Sequence, residues 1–558
     1  MFETIETDVL VIGGGGAGIN AALEAKRLGV HVVLVEKGVF GKTGQTATGT
    51  HGLTVGYFSE GDSPEKLIDD MITSGAYIND RDLVEIFANE VANKGVLKLE
   101  EYGVCFARHE DGELDILRCA GHTYPRLVCT GTGTIAPEIT TGPIPELIRN
   151  DVEVVDETVI TRLLTYGGKI SGATGINLKN GNFLVFRSKT IVLATGGCGQ
   201  LFPVTTNSLS ATGDGFSLAY QAGAILRDME FIQCIPLGFL YPESIRGVPI
   251  GEPPMMQTRD GRVPALYNSK RERFMVKYDP KNMEWSTKDV ITYAIFNEIR
   301  EGRGTEHGGV WADLTYIDES IPLYPYIAPL LEFANINVKT NWIEVAPTVH
   351  YTIGGVMYNK EHESNVPGLF VAGEVSGGLH GANRLGGTST AEIILFGRRA
   401  GRFAALKAKN ISRSKIEWGE VSEEYNRVFK LLEKRDGVVS PRGLKKKIQN
   451  LMWNKVGFIR DGVNLKEAEV VLRKIRDDTK NMIVKSKSSR YNIEWREAIE
   501  IFFMLDVAEM IIKSALERKE SRGAHRRADY PKTDNEKWLK KVVVRKVNDK
   551  MDVSVQPL

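Results

Sequence analysis

A glycine-rich turn between two short apolar segments constrains this chain more than any other part of its sequence. Residues 8–13 form an apolar run that predicts a strand, and Gly13-x-Gly15-x-x-Gly18 opens a helical stretch. A second predicted strand follows at once and ends in Glu36. This order predicts an α/β fold in which the backbone of the turn approaches a dinucleotide pyrophosphate and Glu36 takes a ribose hydroxyl. The alternative is a glycine-rich turn that binds nothing.

The net charge excludes few partners. The 558 residues carry 71 Lys and Arg against 71 Asp and Glu, so there is no overall electrostatic case for nucleic acid or an anionic membrane. Residues 415–558 nevertheless carry 33 basic and 23 acidic residues, a net charge of +10, which leaves −10 for residues 1–414. Two interpretations of the basic part stay open: a solvated tail, and a docking surface for an acidic partner.

Targeting and metal-binding patterns are absent from the sequence. No apolar run reaches the roughly 18 residues that a transmembrane segment needs, and the first residues lack the pattern of a signal peptide. We therefore expect no transmembrane segment and a cytoplasmic protein, or one that is peripheral to a membrane through a partner. The five cysteines include no C-x-x-C pair, so we expect no metal site, and any iron–sulfur cluster belongs to another protein chain.

Later segments indicate which dinucleotide binds. Residues 176–186 predict two strands joined by a type I′ turn at Asn180-Gly181, and residues 190–197 predict a buried strand that ends Ala-Thr-Gly-Gly. This succession resembles flavoproteins with two dinucleotide-binding motifs, and residues 368–374 have the same character, so FAD is favoured over NAD. Residues 230–340 show no nucleotide motif and suggest an inserted domain. Residues 493–512 show helical periodicity typical of a helix–helix core.

Several longer motifs resemble one family, the flavoprotein subunits of succinate dehydrogenase and fumarate reductase, with L-aspartate oxidase and adenylylsulfate reductase as relatives. They run in family order over nearly the whole chain. The segments are 194–207, Thr212-Gly-Asp-Gly215, 228–233, 348–355, 374–389, Glu520-Ser-Arg-Gly-Ala-His525-Arg and Asp529-Tyr-Pro531.

The resemblance implies a Rossmann-like FAD-binding domain interrupted by a capping domain and followed by a C-terminal helical domain. On this basis we expect an FAD-binding domain in residues 1–230 and 346–410, a cap in 231–345, a helical domain in 411–520 and a tail in 521–558. The cap would close over the flavin and exclude water.

The resemblance also implies the cofactor contacts. The residues that match are Gly13, Gly15, Gly16, Ala17, Gly18, Glu36, Lys37, Gly44, Gln45, Thr46, Ala194, Thr195, Gly196, Asp214, Glu374, Arg384, Ser389 and Thr390.

Four residues are candidates for catalysis by the same resemblance. Arg384 and His350 match the positions that bind substrate carboxylates, and their alternatives are a structural ion pair and a buried core histidine. Lys288, followed by Asp289, stands where the family has the arginine that shuttles protons. A desolvated lysine can act as acid or base, and the alternative is a lysine on the cap surface. His51 replaces a glycine beside the flavin; it is a proton donor, a substrate ligand or a plain loop residue.

The sequence departs from the family pattern where substrate and flavin are held. Ile235 replaces a histidine that would donate to a carboxylate, and Met256 falls at the cap position of a Thr-Glu pair. The segment Thr43-Gly44-Gln45-Thr46 replaces the Ser-His-Thr segment through which membrane-bound relatives attach FAD covalently. Gln45 cannot form that bond, so we expect non-covalent FAD.

Three functional hypotheses follow. The leading one is the flavoprotein subunit of a soluble fumarate reductase, which transfers a hydride between FAD N5 and a small carboxylic acid and receives electrons from an iron–sulfur partner. A second keeps the fold but changes the substrate to another unsaturated acid or a sulfur compound, as Ile235, Met256 and Lys288 suggest. A third is an electron-transfer subunit without substrate chemistry. The sequence does not name the substrate, the direction of reaction or the oligomeric state.

Overall fold

A parallel β-sheet organises the first part of the molecule. The computed structural model describes residues 2–558 except 50–51, 58, 94, 120, 131–135, 252, 259–260, 287, 318–320 and 322–323. The sheet consists of β2 (Val9–Ile12), β3 (Val32–Val35), β6 (Glu153–Val155), β10 (Thr190–Leu193) and β18 (Leu369–Val371). Its order is β18-β10-β2-β3-β6, and every pair is parallel. Helix α1 (Gly16–Arg27) connects β2 to β3, as predicted, and packs against α10 (Thr388–Lys409).

A second, four-stranded sheet lies beside the first. Its strands are β1 (Glu3–Glu6), β7 (Thr158–Tyr166), β8 (Lys169–Asn177) and β9 (Phe183–Arg187), in the order β1-β9-β8-β7. The predicted hairpin between β8 and β9 is present, but its type I′ turn was wrong. Five residues, 178–182, join the strands, and only Gly181 among them has a positive φ, of 79°. The reason is that the Asn177 side chain accepts hydrogen bonds from the N–H groups of Lys179 and Asn180, which widens the loop.

The connecting segments of this part are mostly helical. They comprise α2 (Pro64–Ser74), α3 (Arg81–Ala92), α4 (Ala136–Thr141), α5 (Ile144–Arg149), α6 (Asp214–Gln221) and an antiparallel pair of short strands, β4 (Leu53–Thr54) and β5 (Leu127–Val128).

The inserted segment has its own sheet and its own apolar core. The strands are β12 (Ile232–Phe239), β13 (Pro249–Gly251), β14 (Ala265–Tyr267), β15 (Val310–Asp313) and β16 (Ile343–Thr352), in the order β13-β12-β16-β15-β14. The helices are α7 (Met275–Tyr278), α8 (Lys288–Glu298) and α9 (Tyr324–Phe333). Strand β12 carries the chain into this segment and β16 carries it out, and the two pair with each other. They therefore form the link between the cap and the parallel sheet.

A helical region follows. It contains α11 (Trp418–Glu433), α12 (Pro441–Leu451), α13 (Gly462–Asp478) and α14 (Ile493–Glu517). The helix predicted from the periodicity of residues 493–512 is confirmed as α14, and most of its apolar side chains are buried. The Asp461 side chain accepts hydrogen bonds from Val463 N–H and Asn464 N–H and so caps α13. Two short parallel strands, β19 (Ile459–Arg460) and β20 (Arg526–Arg527), join this region to the C-terminal segment.

The C-terminal segment is folded rather than a solvated tail. After α15 (Asn535–Trp538), strands β21 (Lys540–Val547) and β22 (Lys550–Pro557) form a hairpin. Strand β21 also pairs with β11 (Leu226–Arg227), which in turn pairs with β17 (Gly355–Val356). Residues Val542, Val543 and Val544 are fully buried. The described residues contain no helix long and apolar enough to cross a bilayer. The predicted domain boundaries remain predictions.

Candidate active site

One large cavity lies at the carboxyl edge of the parallel sheet, where α1 begins. It encloses about 1320 Å³ including its open mouth, more than the roughly 300–1,000 Å³ typical of pockets for drug-sized ligands. The predicted cofactor residues that line it are Gly13, Gly15, Gly16, Ala17, Glu36, Lys37, Gly44, Gln45, Thr46, Ala194, Thr195, Gly196, Asp214, Glu374, Arg384, Ser389 and Thr390. These residues come from distant parts of the sequence, so the fold assembles them.

The glycine-rich turn has the geometry that close approach to a ligand requires. Gly13 has a φ of 109°, and a Cβ atom there would lie 2.2 Å from the carbonyl oxygen of Ala194. The N-cap residue of α1 is Gly15, which has no side chain, so the first turn of the helix lines the cavity directly. A helix N-terminus of this kind stabilises a pyrophosphate. Gly18 does not line the cavity; a Cβ atom there would lie 1.8 Å from Gly13 O, so it permits close packing instead.

Glu36 and Lys37 lie deep in the cavity wall. The Glu36 carboxylate accepts hydrogen bonds from Gly14 N–H at 2.6 Å, from Gly38 N–H at 3.0 Å and from the Thr43 hydroxyl. These bonds fix Glu36 where a ribose hydroxyl would reach its remaining lone pairs. Lys37 forms ion pairs with Asp214 at 2.7 Å and Glu500 at 2.9 Å. Although burial opposes its charge, these two carboxylates raise the pKa of Lys37.

The middle of the cavity contains a carboxyl group of altered acidity. Burial raises the pKa of Glu374 to about 7, against the lowering effects of a hydrogen bond from Thr352 N–H and of the Arg384 charge. Thr195 Oγ1 is buried and has no hydrogen-bond partner among the residues that the structure describes. A buried hydroxyl and a carboxyl group that is partly protonated at neutral pH suit the hydroxyl groups of a dinucleotide. The chemistry of the cavity therefore fits FAD.

The cavity ends at a cluster around Arg384. Arg384 Nε donates to Gln233 Oε1 and Arg384 NH1 donates to Ser389 Oγ, both at 3.0 Å. The guanidinium carbon lies 5.0 Å from the centre of the Tyr351 ring. Three contacts thus fix this buried guanidinium, which is 5% exposed. The arginine had been predicted, but Gln233 and Tyr351 as its supports had not.

His350 lies next to this cluster on β16 and also lines the cavity. Its Nδ1 and the Thr206 hydroxyl share a hydrogen bond of 2.9 Å, and its backbone carbonyl accepts from Asn207 Nδ2 at 2.8 Å. The pairing of β12 with β16 places Gln233 opposite Tyr351. This register explains why His350, Gln233 and Arg384 meet at one place. His350 and Arg384 together can hold an anionic ligand.

Lys288 begins α8 of the cap and is not among the residues that line the cavity. Its position is shown by His122, a residue that sequence reasoning missed. His122 Nε2–H donates to Gly386 O at 2.8 Å, and Arg126 NH1 donates to His122 Nδ1. Burial lowers the pKa of His122, and the charges of Arg126 and Lys288 lower it further. Lys288 therefore lies near the loop that carries Arg384.

The other predicted positions are less central. Ile235 is buried on β12 opposite Thr348. Met256 packs in the apolar core of the cap with Leu237 and Phe274, so its side chain belongs to cap packing rather than to the cavity wall. His51 lies outside the described residues. Further lining residues that the sequence did not reveal include Thr158, Ile160, Ser210 and Leu218. They lie on elements without a nucleotide motif, and only the fold brings them to the cavity.

Comparison with known proteins supports the cofactor and the fold. A family model described as "FAD binding domain" matches residues 8–390, and one described as "Fumarate reductase flavoprotein C-term" matches residues 445–558. The chain is 39% identical over 548 residues to one of the subunits of the fumarate reductase (CoM/CoB) of Methanothermobacter marburgensis, covering 98% of each chain. It is 30% identical to the fumarate reductase flavoprotein subunit of Haemophilus influenzae, covering 96% of this chain and 92% of the relative.

Solved structures agree with these matches. The FrdA chain of E. coli quinol fumarate reductase has a TM-score of 0.92 at 27% identity, covering 100% of this chain and 97% of that one. Adenylylsulfate reductase of Archaeoglobus fulgidus has a TM-score of 0.78 at 20% identity and covers 96% of that chain, which shows a shared fold. The predictions of FAD as cofactor and of an interrupted Rossmann-like fold with a C-terminal helical domain are confirmed.

Proposed function

The chain belongs to the fumarate reductase and succinate dehydrogenase flavoprotein subunits, which are FAD-dependent oxidoreductases, and on that basis we propose that it reduces fumarate or a close unsaturated dicarboxylic acid. The observation that carries this proposal is the fixed, buried guanidinium of Arg384 beside His350 at one end of the flavin cavity. A planar guanidinium binds a carboxylate through two parallel hydrogen bonds, which orients the acid as well as holding it.

The reaction divides among the chain's own residues. Arg384 and His350 hold the carboxylates, and the Lys288 ammonium at Nζ delivers the proton to a substrate carbon. The cap core, with Phe239 and Leu266 fully buried, gives a rigid lid that excludes water from the closed site. When bound, FAD supplies the hydride.

We also propose that an iron–sulfur partner protein supplies the electrons. The argument is one of chemistry, because the two-electron reaction needs a continuing supply of electrons from outside the flavin. The methanogen relative is named for CoM/CoB and is one of several subunits, so it belongs to an assembly whose name pairs fumarate with thiols. Thiol oxidation to a disulfide releases two electrons and two protons, which balances the reduction of one C=C bond.

The direct test is fumarate-dependent oxidation of reduced benzyl viologen by the purified holoenzyme. We expect oxidation with fumarate and none without it, since the dye supplies electrons regardless of the natural partner. A panel of succinate, crotonate and adenylylsulfate measures specificity. Crotonate has one carboxylate, so a preference for fumarate over crotonate indicates that both Arg384 and His350 engage the acid. Activity with neither fumarate nor succinate would overturn the proposal.

We predict that the FAD is held without a covalent bond. Gln45 lies in the cavity wall, where its amide oxygen accepts from Ser208 N–H at 3.0 Å and its amide nitrogen donates to Thr206 O. An amide cannot alkylate the flavin as a histidine ring can. Trichloroacetic acid precipitation should therefore leave a colourless pellet and release all the flavin. Yellow colour that stays with the pellet after washing contradicts the prediction.

A further inference from the structure

The cap helix α8 contacts the C-terminal part of the chain at two points. Arg526 NH2 donates to Asp289 Oδ2 at 3.0 Å, and each side chain is about one third exposed, at 32% and 35%. Asp289 is the second residue of α8 and directly follows Lys288. This ion pair therefore joins the first turn of the cap helix to strand β20.

The second contact lies two helical turns further along α8. The Phe296 ring stacks on Phe458 with 5.2 Å between centroids and 7° between planes, and it lies 5.6 Å from the Trp453 ring. Residues seven apart lie on nearly the same face of an α-helix, so Asp289 and Phe296 point to the same side. Phe458 immediately precedes β19, the strand that pairs with β20. One face of α8 thus rests on a single support, the β19–β20 pair.

Buried neighbours hold this support rigidly. Arg460, beside Ile459, donates from NH1 to Glu230 O at 2.7 Å and to His525 Nδ1. Arg527, next to Arg526, donates from NH1 to Ala515 O at 2.7 Å and pairs with Asp529. Arg460 and Arg527 are 2% and 3% exposed. Arg526 is therefore the solvent-facing member of a fixed strand and can act as a stationary anchor.

We infer that Arg526 is a positioning residue for Lys288: its ion pair with Asp289 fixes the first turn of α8, and so the Lys288 ammonium, in the closed site. This inference rests on the proton-donating role of Lys288 under the proposed function. A partly exposed ion pair contributes little to stability. A displacement of about 1 Å in a reacting group can nevertheless lower a rate by up to about 100-fold. The pair thus matters for turnover more than for folding.

The test compares three variants of the holoenzyme in the fumarate assay. Arg526→Gln removes the charge and is expected to lower kcat about tenfold, with KM and FAD content little changed. Arg526→Lys keeps a cation within reach of Asp289 and is expected to retain at least half of kcat. Arg545→Gln is the matched control, because Arg545 forms a similarly exposed 2.8 Å pair with Asp552 on the C-terminal hairpin; its kcat should not change.

The same substitution in a Lys288→Ala background separates positioning from general structural damage. If Arg526 acts through Lys288, Arg526→Gln changes the residual kcat of Lys288→Ala by less than twofold. A tenfold loss in both backgrounds, or a loss of less than twofold in the native background, overturns the inference while the proposed function stands. Full activity of Lys288→Ala overturns the role proposed for Lys288 and this inference with it.

Discussion

Replacement of Arg384 by methionine is expected to lower kcat/KM for fumarate by a factor of about 10³. Methionine fills a similar volume, so the cluster with Gln233 and Tyr351 remains packed while the carboxylate loses its cation. Truncating one partner of a buried, hydrogen-bonded charge pair costs about 2–5 kcal/mol, and each 1.4 kcal/mol is a factor of ten. Arg384→Lys keeps the charge but not the planar fork, and its loss should be about 10- to 100-fold.

Steady-state kinetics with rates normalised to bound FAD measures this effect without confusion from lost cofactor. Arg399→Met is a suitable control, because Arg399 lies on the same helix α10, pairs with Glu90 at 3.1 Å and does not line the cavity. Its kcat/KM should stay within twofold of the native value. A native-like kcat/KM in Arg384→Met would remove the carboxylate site from the proposed function.

Replacement of Lys288 by methionine is expected to lower kcat by about 10²–10⁴, the range over which a positioned acid or base accelerates a reaction. KM should change much less, because Lys288 starts the cap helix and does not line the cavity that holds the acid. Lys288→Arg introduces the residue that the family has at this position and should remain within tenfold of the native kcat.

The control for this prediction is another lysine of the cap. Lys277 is half exposed and lies 3.8 Å from Glu272, so Lys277→Met removes a cap charge away from the cavity. Its kcat should equal that of the native enzyme. If Lys288→Met retains kcat within twofold, the proton comes from another group and Lys288 is a surface residue of the cap.

The sequence predicts best where the residues that form a feature are neighbours in the chain. Strand β2, the glycine turn, α1 and β3 lie within residues 9–35, and their order alone identified the cofactor fold. The helix α14 was equally predictable, because one helix carries its whole apolar periodicity. Both features depend on local geometry and on a single periodic pattern.

The supports of the site were not predictable because they join distant segments. Gln233 is 151 residues from Arg384, and Asp289 is 237 residues from Arg526. Met256 shows the opposite problem: a proline-rich segment without periodicity was aligned with the substrate site, yet its side chain packs in the cap core. The type I′ turn failed for a smaller reason, since a side-chain amide competed with the backbone at Asn177.

The C-terminal hairpin has a consequence for the birth of the protein. Strand β21 pairs with β11, and Asp228 exchanges hydrogen bonds with Val542, its N–H donating to Val542 O and its carboxylate accepting from Val542 N–H. The partners are 314 residues apart, so the sheet stays incomplete until the end of the chain leaves the ribosome. Pairings between such distant segments form late and slowly. An exposed β11 edge therefore has to be shielded during synthesis, and ribosome stalling before residue 540 should yield a chain that aggregates.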